Sequence, residues 1–369
     1  MKNINRKIFP ISLLPLLSLI LLLITGPLTR VIFAHVTTTT LPFLASVDTM
    51  KVSRDTETRP LSQQEIMQIV KMTASLHTNY ITVDTDWEYP AYMQEWITAI
   101  RVTGNHIWFR GHPNQWENSN GAEGLMTPGM YEETEQQFIL AHPNFFQPGD
   151  IFDPCSEPED GHYWEARYGT QWTSNAPNVA THAFNLFLRG TTDVANAAFQ
   201  QLGINGVITT VHSTNSFFAS QPGELEAATV AQFGYLTVDS YPEQSTTDAQ
   251  TAVYARVSEL QRIEQLWHVP IIIGEMGYSN NVQVDDQTQQ RVLTAELAAI
   301  VQLPYVIGVN YWVGPGSSTD GGYTELIVQH NGVWHMRPAA ADLTDFFHAE
   351  FMGDGPVEPA KPITHCFTS

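Results

Sequence analysis

The sequence has few cysteines and few basic residues, and these two shortages exclude several classes of protein. Its 369 residues include two cysteines, Cys155 and Cys366, too few for a disulfide framework. A single Cys155–Cys366 disulfide and two unpaired thiols both remain open. Lysine and arginine number 17 against 38 aspartates and glutamates, which gives a formal net charge of −21. Such a surface repels phosphate backbones, so we expect no nucleic-acid partner.

Two kinds of motif are also missing. No G-x-G-x-x-G or Walker sequence follows the first predicted strand, which argues against a nucleotide-binding open sheet. No His-x-His pair occurs anywhere in the chain. Metal-dependent barrel hydrolases commonly use such a pair as ligands, so we expect neither a catalytic metal nor another cofactor.

Long apolar runs are absent after the N-terminal segment. Three basic residues among the first seven precede an apolar run over residues 8–24. This order predicts a secretory signal peptide at residues 1–34, or a membrane tether through residues 8–24 if the signal is not cleaved. In both cases we expect a secreted or extracellular protein. Residues 35–42 are interpreted as a short Thr-rich linker.

From residue 43 to residue 352, short β-branched runs alternate with longer amphipathic segments. The alternation repeats eight times and predicts eight βα units around a parallel sheet. We therefore predict an α/β fold, a single-domain (β/α)8 TIM barrel, followed by an irregular tail at residues 353–369. The predicted strands are 44–50, 80–83, 107–109, 151–155, 207–211, 235–238, 270–274 and 306–311. The predicted helices are 62–76, 90–100, 128–141, 178–202, 224–232, 247–266, 287–301 and 340–351.

Carboxylates follow the fourth and the seventh predicted strands. Glu157 comes after the fourth strand and Glu275 after the seventh. Because the carboxyl ends of barrel strands form the active-site face, we expect these side chains to meet across the barrel mouth. Glycosidic bond cleavage needs two carboxyl groups, one to protonate the leaving oxygen and one to attack or stabilise the anomeric centre. Glu159 and Asp153 remain alternatives to Glu157 as the working group of the fourth strand.

At these positions the chain resembles the clan A glycoside hydrolases, which include cellulases, mannanases and xylanases. Ser-Glu-Pro around Glu157 stands where that clan usually has Asn-Glu-Pro, and Gly-Glu-Met-Gly around Glu275 resembles its Gly/Thr-Glu-aromatic-Gly. Trp312 matches a Trp that ends strand eight, and Tyr241 matches a Tyr that holds the nucleophile. The resemblance implies a retaining glycosidase for β-linked oligo- or polysaccharides, with Glu157 as acid/base and Glu275 as nucleophile.

Two departures from the clan pattern concern the sugar contacts. Ser156 replaces the Asn that bonds the sugar 2-hydroxyl, and the Arg after strand two is missing, with Arg110 after strand three as its candidate replacement. A carbohydrate-binding barrel without turnover and a transglycosylase therefore remain open. Aromatic residues at strand ends either stack on sugar rings or only cover the end of the barrel by packing. The residues predicted to contact substrate are Trp312, Tyr241, His212, Arg110, His112, Ser156 and Trp87.

Overall fold

The computed structural model describes residues 43–113, 116, 125–172, 177–242, 246–278, 285–316 and 324–351. Within these residues, eight parallel strands form one curled sheet in the order β4-β3-β2-β1-β8-β7-β6-β5. The strands are β1 Leu44–Asp48, β2 Tyr80–Val83, β3 His106–Phe109, β4 Ile151–Phe152, β5 Ser213–Asn215, β6 Leu236–Asp239, β7 Ile271–Met276 and β8 Val306–Tyr311. A parallel bridge between Ile151 and Ile208 links the two ends of the sheet. This is the predicted (β/α)8 barrel.

Helices follow the strands and cover the outside of the sheet. They are α1 Met50–Ser53, α2 Gln63–Ala74, α3 Pro90–Thr103, α4 Pro128–Ala141, α5 His162–Tyr168, α6 Val179–Leu202, α7 Ser216–Ala219, α8 Ala227–Phe233, α9 Ala249–Trp267, α10 Asp286–Ile300 and α11 Ala339–Phe351. The first long helix begins as predicted, because Ser62 and Glu65 form a reciprocal capping box. Within the described residues, no helix is both long and apolar enough to cross a bilayer.

The fifth strand differs from its prediction. The apolar run 207–211 forms only the bridge at Ile208, and the ladder with β6 lies further on, at Ser213–Asn215. These residues are polar because they reach the barrel mouth, where the Ser213 hydroxyl donates to Asp239. The apolar run therefore identified where the chain enters the sheet, whereas the polar residues that form the ladder at the barrel mouth were not predicted.

A small second sheet was not predicted. It consists of β9 Pro315–Gly316, β10 Ile327–His330 and β11 Val333–Met336, the last two paired as an antiparallel hairpin. Asn331 and Gly332 form its turn with φ values of 51° and 77°. An Asn-Gly dipeptide between two apolar runs is the usual signal for this turn, and it was available in the sequence.

Two layers of buried side chains support the site. A large cluster fills the space between the strands and the helices, and a separate cluster takes its residues from successive strands of the ring. The members of this second cluster are Leu44, Tyr80, Trp108, Ile151, Val211, Tyr235 and Ile272. We assign them to the barrel interior, where they form a floor beneath the polar residues at the strand ends. Cys155 is buried, and Cys366, on which the open question of a disulfide depends, lies outside the described residues.

Candidate active site

Glu275 lies on β7 and is bound through both carboxylate oxygens. Oε1 accepts a hydrogen bond from Nη1 of Arg110 at 2.5 Å, and Oε2 accepts one from the Tyr241 hydroxyl at 3.2 Å. Arg110 directly follows β3, and its backbone N–H donates to Val83, which continues the ladder with β2. Both Glu275 and Arg110 are buried, at 6% and 1% exposure. The structure thus holds this carboxylate in one orientation at the barrel mouth.

Arg110 also faces two aspartates. Its Nη1 lies 3.0 Å from Oδ2 of Asp48 at the end of β1, and its Nη2 lies 3.6 Å from Oδ2 of Asp239 at the end of β6. Burial opposes the charge of Arg110, but the carboxylates of Glu275, Asp239 and Asp48 outweigh it and raise the pKa of the guanidinium. The cation therefore stays charged while buried among carboxylates.

Glu157 completes the group from the side of β4. Its backbone N–H donates to the Ser213 carbonyl at 2.7 Å, and its φ of 44° places it in the left-handed region just before Pro158. A non-glycine residue in this region is uncommon and needs support from its surroundings. One carboxylate oxygen each from Glu157, Asp239 and Glu275 lies within 4.8 Å of the others. The structure therefore brings Glu157, in the segment after β4, together with Glu275 on β7.

Burial affects the protonation of these acids. Burial raises the pKa of Glu275 to about 8, against the opposing effect of Arg110. Burial and the charge of Glu275 raise the pKa of Asp239 well above its ordinary range. Three carboxylates within 4.8 Å have the donor chemistry for a cation, but the Arg110 guanidinium already contacts Glu275. The cluster is suited to holding and moving protons.

Gly274 and Asn310 maintain the geometry of the cluster. A Cβ on Gly274 would lie 2.1 Å from the Ser213 hydroxyl and 2.6 Å from Oδ1 of Asp239. Nδ2 of Asn310 donates to Oδ2 of Asp48 at 3.2 Å and to the Gly274 carbonyl at 2.9 Å. Glycine is needed at position 274 because the bond between Ser213 and Asp239 passes over it.

Trp312, Ser156 and His112 occupy the surroundings of the cluster. The half-buried Trp312 ring meets Tyr241 edge-on at 6.2 Å between centroids, and Nζ of Lys51 lies 5.9 Å from its centre. Ser156 is buried beside Glu157 in the chain. The buried His112 has its Nδ1 3.1 Å from the carbonyl of the next residue. Of the three, Trp312 has a ring next to a residue that binds Glu275.

His212 and Trp87, both predicted to contact substrate, pack against residues of the surrounding helices. Nε2 of His212 lies 2.9 Å from the Thr192 hydroxyl of α6, and its ring stacks on Phe233 of α8. Burial lowers the pKa of His212 to about 3. Trp87 stacks on Phe138 of α4 with centroids 5.2 Å apart. Both rings belong to the layer between strands and helices, since each packs on a helix residue.

Sequence reasoning missed four residues of the cluster or its support: Asp48, Asp239, Ser213 and Asn310. Asp48 and Asp239 each end an apolar strand, so the rule that identified the two glutamates applied to them as well. Asn310 and Ser213 carried no comparable signal, because a single buried amide or hydroxyl in a strand is common. Their roles depend on register, which only the structure shows.

No family model and no curated protein sequence matches this chain. It is similar in structure to GH5_18 from Streptomyces cattleya, in complex with GlcNAc, at 15% identity and a TM-score of 0.61, over 85% of this chain and 81% of that one. The endo-β-1,4-glucanase Xac0029 from Xanthomonas axonopodis pv. citri matches at 13% identity and a TM-score of 0.55, over 84% and 100%. The exo-β-1,4-mannosidase Op5Man5 from Opitutaceae bacterium strain TAV5 matches at 13% identity and a TM-score of 0.58. The match covers 84% of this chain and 60% of that one. These similarities establish the fold.

Proposed function

We propose that this protein is a retaining glycoside hydrolase of the clan A type that cleaves β-linked oligo- or polysaccharides. The observation that carries the proposal is the approach of Glu157 and Glu275, which have carboxylate oxygens within 4.8 Å of each other. Retaining glycosidases hold their two carboxyl groups about 5 to 5.5 Å apart, whereas inverting ones need about 6.5 to 9.5 Å to admit a water. The observed gap favours retention.

The contacts at each glutamate suggest its role. Glu275 is oriented by Arg110 and Tyr241 and would attack the anomeric carbon while ionised. Glu157 is half-buried on the opposite side and would protonate the departing glycosidic oxygen. In the second step Glu157 would take a proton from water, whose oxygen then displaces Glu275 from the sugar. No cofactor enters either step.

The similar structures support a carbohydrate as substrate. A glutamate-to-alanine variant of the Streptomyces cattleya GH5_18 was solved with Manβ1-4GlcNAc, and other neighbours are named as a β-1,4-glucanase and a β-1,4-mannosidase. All of these names concern β-linked sugars. The half-buried Trp312 ring beside Tyr241 provides an apolar face on which a sugar ring can stack.

The place of action is a separate part of the proposal. The basic start and the apolar run over residues 8–24 support export, with the protein secreted or tethered to a membrane by that run. N-terminal sequencing of the protein recovered from culture medium and from membranes tests this. A mature chain beginning near residue 35 supports a cleaved signal, and an intact chain confined to the cytosol contradicts export.

The test of the reaction uses Glu275→Ala and Glu157→Ala with a panel of aryl β-glycosides and oligosaccharides. Both changes should reduce turnover by about 10³-fold or more, because each removes one of two essential groups. Azide should rescue Glu157→Ala and yield a β-glycosyl azide, and it should yield the α-anomer with Glu275→Ala. Glu133→Ala, an exposed position on α4, is the matched control.

Product stereochemistry decides the mechanism. NMR of the unmutated protein with substrate should show the β-anomer of the product first, and initial α-anomer would exclude retention. A carbohydrate-binding barrel without turnover is the second candidate, favoured by Ser156 in place of the clan's Asn. Sugar binding without hydrolysis by the unmutated protein across the panel would support that candidate instead.

A further inference from the structure

Apart from the barrel mouth, a second cavity of about 470 Å³ lies between the segments that follow β4 and β5. Its size is that of a small-ligand site. The residues that characterise its lining are the acids Glu159, Asp160, Glu165 and Glu224 and the aromatics Trp172 and Phe217. Among the described residues that line it there is no lysine or arginine, and His162 is the one basic side chain. Glu159 follows Glu157 by two residues, so the segment that carries the proposed acid/base also lines this cavity.

Two of the four acids are buried without full compensation. Glu159 and Glu224 are 4% and 3% exposed, and Oε2 of each has no hydrogen-bond partner. Oε1 of Glu159 accepts the backbone N–H of Asn215, so that side chain is fixed. Burial raises the pKa of Glu224 to about 7 and that of Glu159 well above its ordinary range. A buried carboxylate that lacks a partner is costly, and a ligand with positive charge would remove that cost.

The aromatic residues provide a complementary surface. Phe217 is 51% exposed, which is unusual for so large an apolar side chain. Trp172 is held by stacking on Phe218 at 5.3 Å between centroids, so the aromatic side of the cavity is rigid. Aromatic faces attract cations and also stack on the C–H faces of sugar rings.

A bare metal ion fits this cavity less well than a polyatomic ligand. Among the described residues, the one set of three metal-type ligands with atoms within 4.8 Å of each other is Glu157, Asp239 and Glu275. No three of the acids that line the second cavity converge on a point in this way. Carboxylates spread over a cavity with an aromatic side match a ring that carries a charged substituent.

We propose that this cavity is an accessory subsite that binds an amino sugar through its protonated amine. Glu159 and Glu224 pair with the ammonium group, and Phe217 stacks on the sugar ring. The positive charge of the ligand follows from the acids of the cavity, whereas the choice of a sugar as its carrier rests on the proposed function. The net charge of −21 adds a long-range attraction for cationic oligosaccharides.

Titration calorimetry on the full-length Glu275→Gln protein tests the subsite without turnover. The probes are the glucosamine tetramer, the N-acetylglucosamine tetramer and cellotetraose, three β-1,4 oligomers that differ at the substituent on carbon 2. We expect the glucosamine tetramer to bind at least tenfold more tightly than the other two. Choline, a cation without a sugar ring, should bind at least tenfold more weakly than the glucosamine tetramer.

Substitutions then locate the binding. Adding Glu224→Gln should reduce the preference for the glucosamine tetramer to less than threefold, and Phe217→Ala should weaken all sugar binding. Glu226→Gln is the matched control, because that glutamate pairs with Arg189 and does not line the cavity. Phe217 is exposed, so its variant keeps the test decisive if Glu224→Gln does not fold.

Two results would overturn the subsite: equal affinity for the three tetramers, or a preference that survives Glu224→Gln. If choline bound as tightly as the glucosamine tetramer, the proposal that the ligand is a sugar would be overturned. Failure of the subsite and failure of the proposed function are distinguishable. Hydrolysis of β-glycosides without a preference for amines contradicts the subsite alone, whereas amine-selective binding without hydrolysis by the unmutated protein contradicts the enzyme alone.

Discussion

Nη1 of Arg110 lies 2.5 Å from Oε1 of Glu275, so an arginine that follows β3 directly contacts the proposed nucleophile. Clan A enzymes often carry an arginine after strand two, and the chain has Asp84-Thr85-Asp86 there. In this chain the guanidinium that contacts Glu275 comes from the end of β3. Two opposing effects meet at Glu275: burial favours its neutral form and Arg110 favours its charge.

The first prediction concerns the pH dependence of turnover. The nucleophile has to be ionised, and the pKa of Glu275 is raised to about 8, so kcat/KM should increase with pH well above the 4.5 of an ordinary glutamate. Arg110→Gln removes the charge that favours ionisation and should move this limb to higher pH. Initial rates on an aryl β-glycoside from pH 4 to 9 give the profile. A midpoint near 4.5 in the unmutated protein would contradict the assignment.

The second prediction concerns stability. Glu275 holds its proton up to about pH 8 in the folded protein and to about 4.5 when unfolded, so the folded state binds more protons in between. This contribution to stability is present at low pH and is lost as the pH rises to about 8. Asp153 and Glu224, each with a pKa raised to about 7 by burial, act in the same direction. His212, with a pKa lowered to about 3, has the opposite effect only below 6.5.

Urea unfolding at pH 6.5 and 8.5 checks this prediction. We expect a lower midpoint at pH 8.5 with an unchanged slope, and a smaller difference between the two pH values in Glu275→Gln. A midpoint that increases with pH over this interval would show that Glu275 is already ionised at pH 6.5. The ionisation that permits attack on the sugar would thus also lower the stability of the fold.

The barrel itself was predictable because its signal is repeated. Each apolar run has to be buried on both faces, and eight such runs leave few alternatives to a closed parallel sheet. Glu157 and Glu275 could be assigned to the barrel mouth for the same reason, since Glu275 lies near the end of β7 and Glu157 in the segment that follows β4. The strand at 207–211 was misplaced because its hydrogen-bonded ladder continues into Ser213–Asn215, whose polar side chains obscure the pattern.

Which way a side chain points was less predictable than where its strand ends. His212 and Ser213 are adjacent, yet one packs on α6 and α8 while the other bonds Asp239 in the cluster. Alternate residues of a strand face opposite sides, so an error of one residue in register exchanges core and site. Trp87 illustrates the same limit, because composition does not distinguish a ring that stacks on sugar from one that stacks on Phe138.

The third prediction contrasts Tyr241 with His212. Tyr241→Phe removes the hydroxyl that donates to Oε2 of Glu275 and should reduce kcat by about 10- to 100-fold with little change in melting temperature. His212→Ala removes a buried ring and its bond to Thr192 and should lower the free energy of unfolding by about 2 to 4 kcal/mol. Its kcat and KM, measured well below the melting temperature, should stay within threefold. The reverse pattern would return His212 to the substrate site.

The fourth prediction compares two Gly→Ala substitutions, one that crowds the carboxylate cluster and one at a position with open space. A methyl group on Gly274 would meet the Ser213 hydroxyl at 2.1 Å and Asp239 at 2.6 Å, so Gly274→Ala should break their bond and cost about 1 to 3 kcal/mol of stability. Activity should fall by about 100-fold or more, because Asp239, which already lies next to Glu275, would be displaced.

Gly129 in α4 is the matched control, since no atom lies within 4 Å of a Cβ built there. Gly129→Ala should stabilise the protein by about 0.5 kcal/mol through the lower entropy of the unfolded chain and leave kcat/KM unchanged. Urea unfolding and initial rates on both variants provide the measurement. If Gly274→Ala retained full activity, the close packing of Ser213, Gly274 and Asp239 would have no part in positioning the nucleophile.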